Sequence, residues 1–441
     1  MKAIPPLRRV LGNAGLLLSG RSVNAVLGLA YMAVTARALG PATLGVLILI
    51  HAFAQFVGDV MKFQSWQTLL HFGTRPLAEN RIRDFQRVLR FSIFLDLSST
   101  VVGLVVGIAG SLLFADKLGW GGAHRTAAAL YMLTILVMVS ATPMGLMRML
   151  DRFEILARQT ALVGLFRLLA CGVAFLLHAP LEGFLAAWAA GQTGGFLYLA
   201  VVGVRELKRR GLLVGFAWGG GLTEGMPKAW KFAWNTNLSA GLDVAMTHAT
   251  TLLVGGVMGP APAAFWRIGR QVADAIAKPA RLLAVALYPE LARLRATGSE
   301  AAAWRLARST GLTAGSVVAL LLGVSIFLGP WLLRLIIGSD MPSAAVTMNW
   351  QVGATVIGAF ALPLEPMLIT QGRAGAVVRV QLVVSAIYLA ALPAILHGFG
   401  LTGAGAALVA AEAGLAAGWM LAIFRKRRRT TPVAPPTGDD E

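Results

Sequence analysis

The sequence predicts an all-α, polytopic membrane protein: about twelve transmembrane helices in two six-helix bundles related by a pseudo-two-fold axis along the membrane normal. Three observations predict it. Of 441 residues, 57% are hydrophobic and only 13% charged, about half the charged fraction of a soluble domain. Apolar stretches of about 20 residues, each long enough to cross a bilayer, recur from end to end. The halves also resemble each other: Leu39-Gly40-Pro41-Ala42 aligns with Met258-Gly259-Pro260-Ala261. In that register Asn24 meets Asp243, His51 meets Arg270, Gln55 meets Asp274, Asp59 meets Lys278 and Lys62 meets Arg281.

Apolar runs read against loop punctuation place helices near 10–38, 42–72, 88–114, 124–147, 159–178, 182–204, 232–257, 263–291, 305–329, 343–371, 374–396 and 401–424. On one side of the membrane the connections are short Gly- and Pro-rich turns (LGPAT, MGPAP, HGFGL). That side and its edges carry only Arg37, Lys117, Arg125 and Arg334, whereas most of the 39 Lys and Arg lie in the opposite connections and at the termini. The asymmetry predicts that both termini are cytoplasmic. The chain then divides into an N-terminal lobe (1–204), a cytoplasmic linker (205–231), a C-terminal lobe (232–424) and a polar, Pro-rich tail (425–441) expected to be disordered. The first apolar stretch outruns a signal-peptide core, so it reads as an uncleaved anchor. The linker segment GLLVGFAWGGG reads as an interfacial or mobile piece, and Trp66, Trp120 and Trp331 as an aromatic belt.

The net charge of +19 does not point to nucleic acid, because the charges alternate with apolar spans instead of covering one soluble face. The RKRRR run in the tail reads as a topology signal and a contact for anionic membrane lipid. The single cysteine, Cys171, excludes an internal disulfide and reads as a packing residue.

Seven cations fall inside apolar segments: Arg21, Lys62, Arg167, Arg267, Arg270, Lys278 and Arg281. A charge at a bilayer centre costs about 2.5–3.5 kcal/mol on insertion scales, so such residues face wet cavities or partners. The eighth helix carries Arg267, Arg270, Asp274, Lys278 and Arg281 on one narrow face. The second carries His51, Gln55, Asp59 and Lys62; the first Arg21, Asn24, Tyr31 and Thr35; the seventh Asn235, Ser239, Asp243 and Thr247. The simplest arrangement points all four stripes at one central cavity. Asp59 with Lys62, or Asp274 with Arg270 and Lys278, can instead close as ion pairs that join helices. Cations still outnumber Asp59, Asp243 and Asp274 on these stripes, so water or an anionic ligand must supply the balance. Arg167 stands outside the stripes, with Asp96 or Glu412 as candidate partners.

Motifs for chemistry are missing: there is no GxxxxGK[ST], HExxH, GxSxG or paired-cysteine metal site. No enzyme activity, cofactor or metal is expected.

The run LLSGRSVNAVLGLAYMAVTARALGPATLGVLILIHAFAQFVGDVMKFQSWQ, and FWRIGRQVADAIAKPARLLAVALYPELARL in the second half, resemble the polysaccharide-transporter branch of the multidrug/oligosaccharidyl-lipid/polysaccharide exporter superfamily. The resemblance implies a bacterial inner-membrane flippase for an oligosaccharide carried on undecaprenyl diphosphate, with a cationic lumen that opens alternately to each side. Carried over by position, Arg21, Lys62, Arg270, Lys278 and Arg281 line that lumen, and Asn24 and Arg267 join them as candidate substrate-binding residues from the stripes. Asp59, Asp243 and Asp274 are candidate proton or sodium sites, each beside a base that it can release on protonation. Other glycan-assembly proteins are candidate partners; nucleic acid is not. Rival expectations are a flippase for lipid-linked peptidoglycan precursor, a drug or ion antiporter of the same superfamily, a membrane polysaccharide polymerase or ligase, and a non-transporting scaffold.

Overall fold

Why the chain breaks where it does is clearest at two Gly-Pro turns. Gly40 (φ 71°, ψ 170°) and Gly259 (φ 90°, ψ 178°) occupy a backbone region open essentially to glycine alone. The same conformation at aligned positions is the internal repeat expressed in backbone geometry. Each turn reverses the chain and lets a proline start the next helix without an orphaned N–H.

In the computed structural model, which describes residues 6–219, 221–297, 299–337 and 342–425, the chain is helical throughout its spans and no strand occurs among those residues. The helices are α1 (Pro6–Met61), α2 (Ser65–Ala78), α3 (Ile82–Leu113), α4 (Arg125–Tyr131), α5 (Ile135–Met138), α6 (Ala141–Met149), α7 (Phe153–Leu176) and α8 (Leu181–Arg209). A second series follows: α9 (Ala229–Met258), α10 (Pro260–Ala296), α11 (Glu300–Ile337), α12 (Pro342–Ala361), α13 (Leu364–Thr370) and α14 (Ala374–Arg425). The expected tail, 425–441, lies outside the described residues beyond Arg425.

The all-α polytopic class holds, but the twelve expected helices are not twelve unbroken rods. Two pairs run together, across Gly40 in α1 and Gly400 in α14. Among the described residues, eight helical segments are long and apolar enough to cross a membrane; neither α9 nor α10 is among them. The expected helix 42–72 stops at Met61, because the Phe63 N–H is taken by Ser99 Oγ at 3.0 Å. The expected helix 124–147 is broken near Ser140. There Asp96, buried in α3, accepts from Ser65 Oγ (2.5 Å) and from the Thr142 N–H (2.8 Å). One carboxylate thus caps the starts of α2 and α6, where helix N-termini favour negative charge. The expected helix 343–371 divides at Pro363, between α12 and α13.

Packing divides the molecule unequally. At the end carrying the Gly40 and Gly259 turns, a single apolar core spans both lobes, joining Leu44, Leu47 and Leu49 of α1 to Val254 of α9, Ala263 and Ala264 of α10 and Met348 of α12. At the opposite end the core splits. One cluster, around Phe85, Phe91 and Leu199, lies in the N-terminal half and extends onto the linker and the first turns of α9; another, around Leu291, Leu368 and Ile423, lies in the C-terminal half. Among the described residues, then, one core joins the lobes at the turn end, while the clusters at the linker end stay separate.

The linker is shorter than expected, 210–228, since α8 continues to Arg209. It is docked on α3. Gln86 donates to the carbonyls of Leu212 and Val214 (both 2.9 Å), and Arg90 to those of Ala217, Gly219 and Gly221. Trp120, expected in an interfacial belt, is fully buried, donating to the Ser111 carbonyl at 3.0 Å. A Trp buried in a core keeps an N–H partner, and hydropathy alone does not separate that case from a belt.

Candidate functional site: the seam between the lobes

The central helix is α1, which packs on α7 and α8 of its own half and on α9, α10 and α11 of the other. Glycines set the approach. A Cβ at Gly45 would overlap the Pro260 backbone of α10, and one at Gly28 would lie 2.7 Å from Gln271 Nε2. On the face turned to α7, a Cβ at Gly20 would overlap the Ala157 backbone.

That packing corrects the expectation that all four stripes point at one central cavity. The first-helix stripe turns largely into its own lobe. Asn24 lies against Gly164 of α7. Tyr31 receives a hydrogen bond from Arg167 at 3.2 Å, and Thr35 receives one from Trp188 Nε1 at 3.5 Å. The reason is Arg167. It is buried, with its guanidinium 5.1 Å from the Tyr31 ring and 5.0 Å from the Trp188 ring. Neither Asp96 nor Glu412 is its partner, since Asp96 caps helices and Glu412 lines a cavity in the other lobe. Arg167 makes no ion pair among the described residues, and its buried Nε has no hydrogen-bond partner.

His51, from the second stripe, hydrogen-bonds Tyr131 through Nδ1 at 2.8 Å and meets the Trp188 ring edge-on at 4.9 Å. Arg167 lies 5.0 Å from that same Trp188 ring. Arg267, half-buried on α10, likewise makes no ion pair among the described residues. His51 and Arg167 thus share one aromatic ring, and Arg267 stands on α10, a helix of the other lobe that packs on α1.

The carboxylates close part of the charge. Asp59 pairs with Lys62, and its other oxygen lies 3.4 Å from His248 Nε2 of α9. This contact bridges the lobes, and only 10% of the Asp59 side chain and 13% of His248 is exposed. Arg270 approaches Asp274 at 3.4 Å on α10. It also lines a cavity of about 130 Å³ with Thr247, Trp266, Tyr388 and Glu412, which lies within the C-terminal lobe. Arg21 is exposed toward the linker end and has an interaction partner. The side chains of Asn235, Ser239, Asp243, Lys278 and Arg281 lie outside the described residues.

The ion pairs Asp59–Lys62 and Arg270–Asp274 were legible as i,i+3 and i,i+4 spacings. The Arg167 cage and the His248 bridge were not. Both are made between helices distant in sequence, and neither carries a periodic signal. Among the described residues no group of His, Cys, Asp and Glu is placed to hold a metal ion.

Comparison with known proteins identifies the fold. No family model matches the chain. It is similar over 98% of its length to an inward-facing multidrug resistance MATE family transporter of the MOP superfamily (TM-score 0.73, 11% identity, 98% of that chain covered). An outward-facing structure of such a transporter matches with TM-score 0.64, at 14% identity and 96% coverage of both chains. A MOP superfamily transporter from Pyrococcus furiosus, described as having a binding pocket of reverse polarity that suggests a different function, matches at 0.63, with 13% identity and 97% coverage of each. At such identities these likenesses show the fold alone. In sequence the chain is 34% identical over 335 residues to the inner membrane protein YghQ of Escherichia coli strain K12, covering 75% of this chain and 93% of that protein. The chain is a multi-pass membrane protein with the MOP transporter fold, and it belongs to the family of the inner membrane protein YghQ.

Proposed function

We propose that the chain is a transporter that moves an anionic, lipid-linked oligosaccharide, carried on undecaprenyl diphosphate, across the bacterial inner membrane by alternating access. The observation that carries this reading is a pair of cations with no carboxylate partner among the described residues: Arg167, which shares the Trp188 ring with His51, and Arg267 on α10, which packs on α1 from the other lobe. A diphosphate crossing a low-dielectric region needs donors that replace its water, and guanidinium groups do this with charge-assisted hydrogen bonds. The bulky sugar requires a hydrated groove, and the polyprenyl tail remains in the bilayer.

Most Lys and Arg lie at the linker end, which supports a cytoplasmic placement of that end. The turn end, sealed by one core across both lobes, is then the external gate, and the chain stands in an inward-facing state. The higher TM-score to the inward-facing neighbour, 0.73 against 0.64, supports this. Transport follows as rocking of two pseudo-symmetric lobes about α1. Asp59, shared between Lys62 and His248 across the seam, is the proposed coupling carboxylate.

The likeness to multidrug transporters favours a second reading, an antiporter for cationic drugs. The guanidiniums of Arg167 and Arg267, with no carboxylate partner among the described residues, oppose it, because cationic cargo requires a lumen dominated by carboxylates. The test is Arg267→Ala in a strain whose surface glycan depends on this protein. Lost display at normal protein level supports the flippase. Unchanged display together with new drug sensitivity overturns it in favour of the antiporter.

A further inference from the structure

The third helix of each half begins in a similar cationic setting, but the two lobes treat it differently. In the N-terminal lobe the start of α3 is partly neutralised and is covered. Arg81 and Arg87 pair with Asp84, and Gln86 and Arg90 hold the linker over the helix through its carbonyls. In the C-terminal lobe the start of α11 carries Arg305 and Arg308, both exposed and without an ion pair among the described residues. No described segment covers them.

Beside these arginines lies a cleft of about 580 Å³ between α11, α12, α13 and α14. Its walls are apolar. Leu312, Phe360 and Met420 remain 50%, 42% and 38% exposed, so the cleft opens sideways instead of being closed by protein. Its floor is tight: a Cβ at Gly311 would lie 2.7 Å from the Phe360 carbonyl oxygen, so α11 and α12 are in backbone contact there. A stacked pair, Trp304 and Phe424 (5.6 Å), lies at the same end of the lobe.

We infer that this cleft is a binding site for an anionic phospholipid of the leaflet at the linker end, with the phosphate on Arg305 and Arg308 and an acyl chain laid along Leu312 and Phe360. Charge decides the occupant. Two guanidiniums with no acidic partner among the described residues, at the mouth of an apolar slot, match a negative headgroup above a hydrocarbon tail. The site lies away from the lobe seam and is independent of the transported cargo. Its role is to anchor the C-terminal lobe to the leaflet while the halves move.

The test is native mass spectrometry of the full chain with phosphatidylglycerol or phosphatidylcholine, paired with a photo-crosslinking phenylalanine analogue at position 360. The expected result is preferential retention of phosphatidylglycerol, reduced about tenfold or more in R305A/R308A and kept in R305K/R308K. Crosslinks should fall on lipid, and millimolar inorganic phosphate should not displace it. Equal retention of both lipids by the unmodified chain overturns the inference whether or not the alanine variant folds. Displacement by phosphate, which marks a bare anion site, or crosslinks to residues 426–441 overturn it as well.

Discussion

Substituting Gly45 by Ala perturbs the seal at the turn end and leaves every charge untouched. The added Cβ would stand 2.8 Å from Pro260 Cβ and closer still to the Pro260 carbonyl. Carbon contacts are comfortable at about 3.5–4.0 Å and the Pro260 carbonyl carbon would lie at 2.2 Å, so α1 and α10 must separate by roughly 1.3–1.8 Å there. The obstacle is helix backbone and has no rotamer by which to yield. Overpacking of this kind costs about 1–3 kcal/mol. The cost falls on the state sealed at the turns, because the alternative state parts this contact. The equilibrium between the two should therefore shift about 5- to 150-fold away from the sealed state. Cysteine labelling reads this shift with little background, since the one native cysteine, Cys171, is buried. A probe cysteine at Ala264, fully buried one turn beyond Pro260, should react slowly in the parent and much faster beside Gly45→Ala. Unchanged labelling, with thermal stability also unchanged, would refute the reasoning: the seam would then not be packed on that glycine, or would not part.

Three further outcomes are expected. Arg167→Met removes a charged hydrogen bond and two ring contacts, about 2–5 kcal/mol together, but relieves a buried-charge penalty of several kcal/mol. Thermal unfolding should move by no more than about 2 kcal/mol while glycan export is lost; normal export would mark Arg167 as a packing residue. Asp59→Asn and His248→Gln should be non-additive in a double-mutant cycle, with a coupling of about 0.5–3 kcal/mol, because the carboxylate and imidazole meet across the lobes at 3.4 Å; additive effects would mean that the bridge carries no energy. Arg90→Ala removes the donor to three linker carbonyls, each bond to a charged group contributing about 1.5–3 kcal/mol, so limited proteolysis should cut within 210–228 at least tenfold faster, and an unchanged rate would show that the linker is held by its apolar contacts.

What the sequence revealed follows from which signals are local. Hydropathy and the Gly-Pro turns gave the class and the matching turns, because span length and glycine-only backbone angles are written in contiguous residues. Asp59–Lys62 and Arg270–Asp274 were visible as helical spacings. The interruption after Met61 was not, since it depends on Ser99, a residue of another helix, capturing an N–H. The direction of the first-helix stripe was misread for a similar reason. Tyr31 and Thr35 look like lumen residues until Arg167 and Trp188 are placed beside them. A period of 3.6 says that polar residues share a face; only tertiary packing says which neighbour that face meets. His248 fell on no polar stripe, and only its approach to Asp59 assigns it to the seam.

The most direct test of the central claim uses proteoliposomes containing the purified chain and a labelled undecaprenyl-diphosphate oligosaccharide in one leaflet. The expected result is protein-dependent translocation that falls at least about tenfold in Arg267→Ala, the scale of one charge-assisted contact. Translocation that proceeds equally well without Arg267, or none at all by the unaltered protein, would contradict the account.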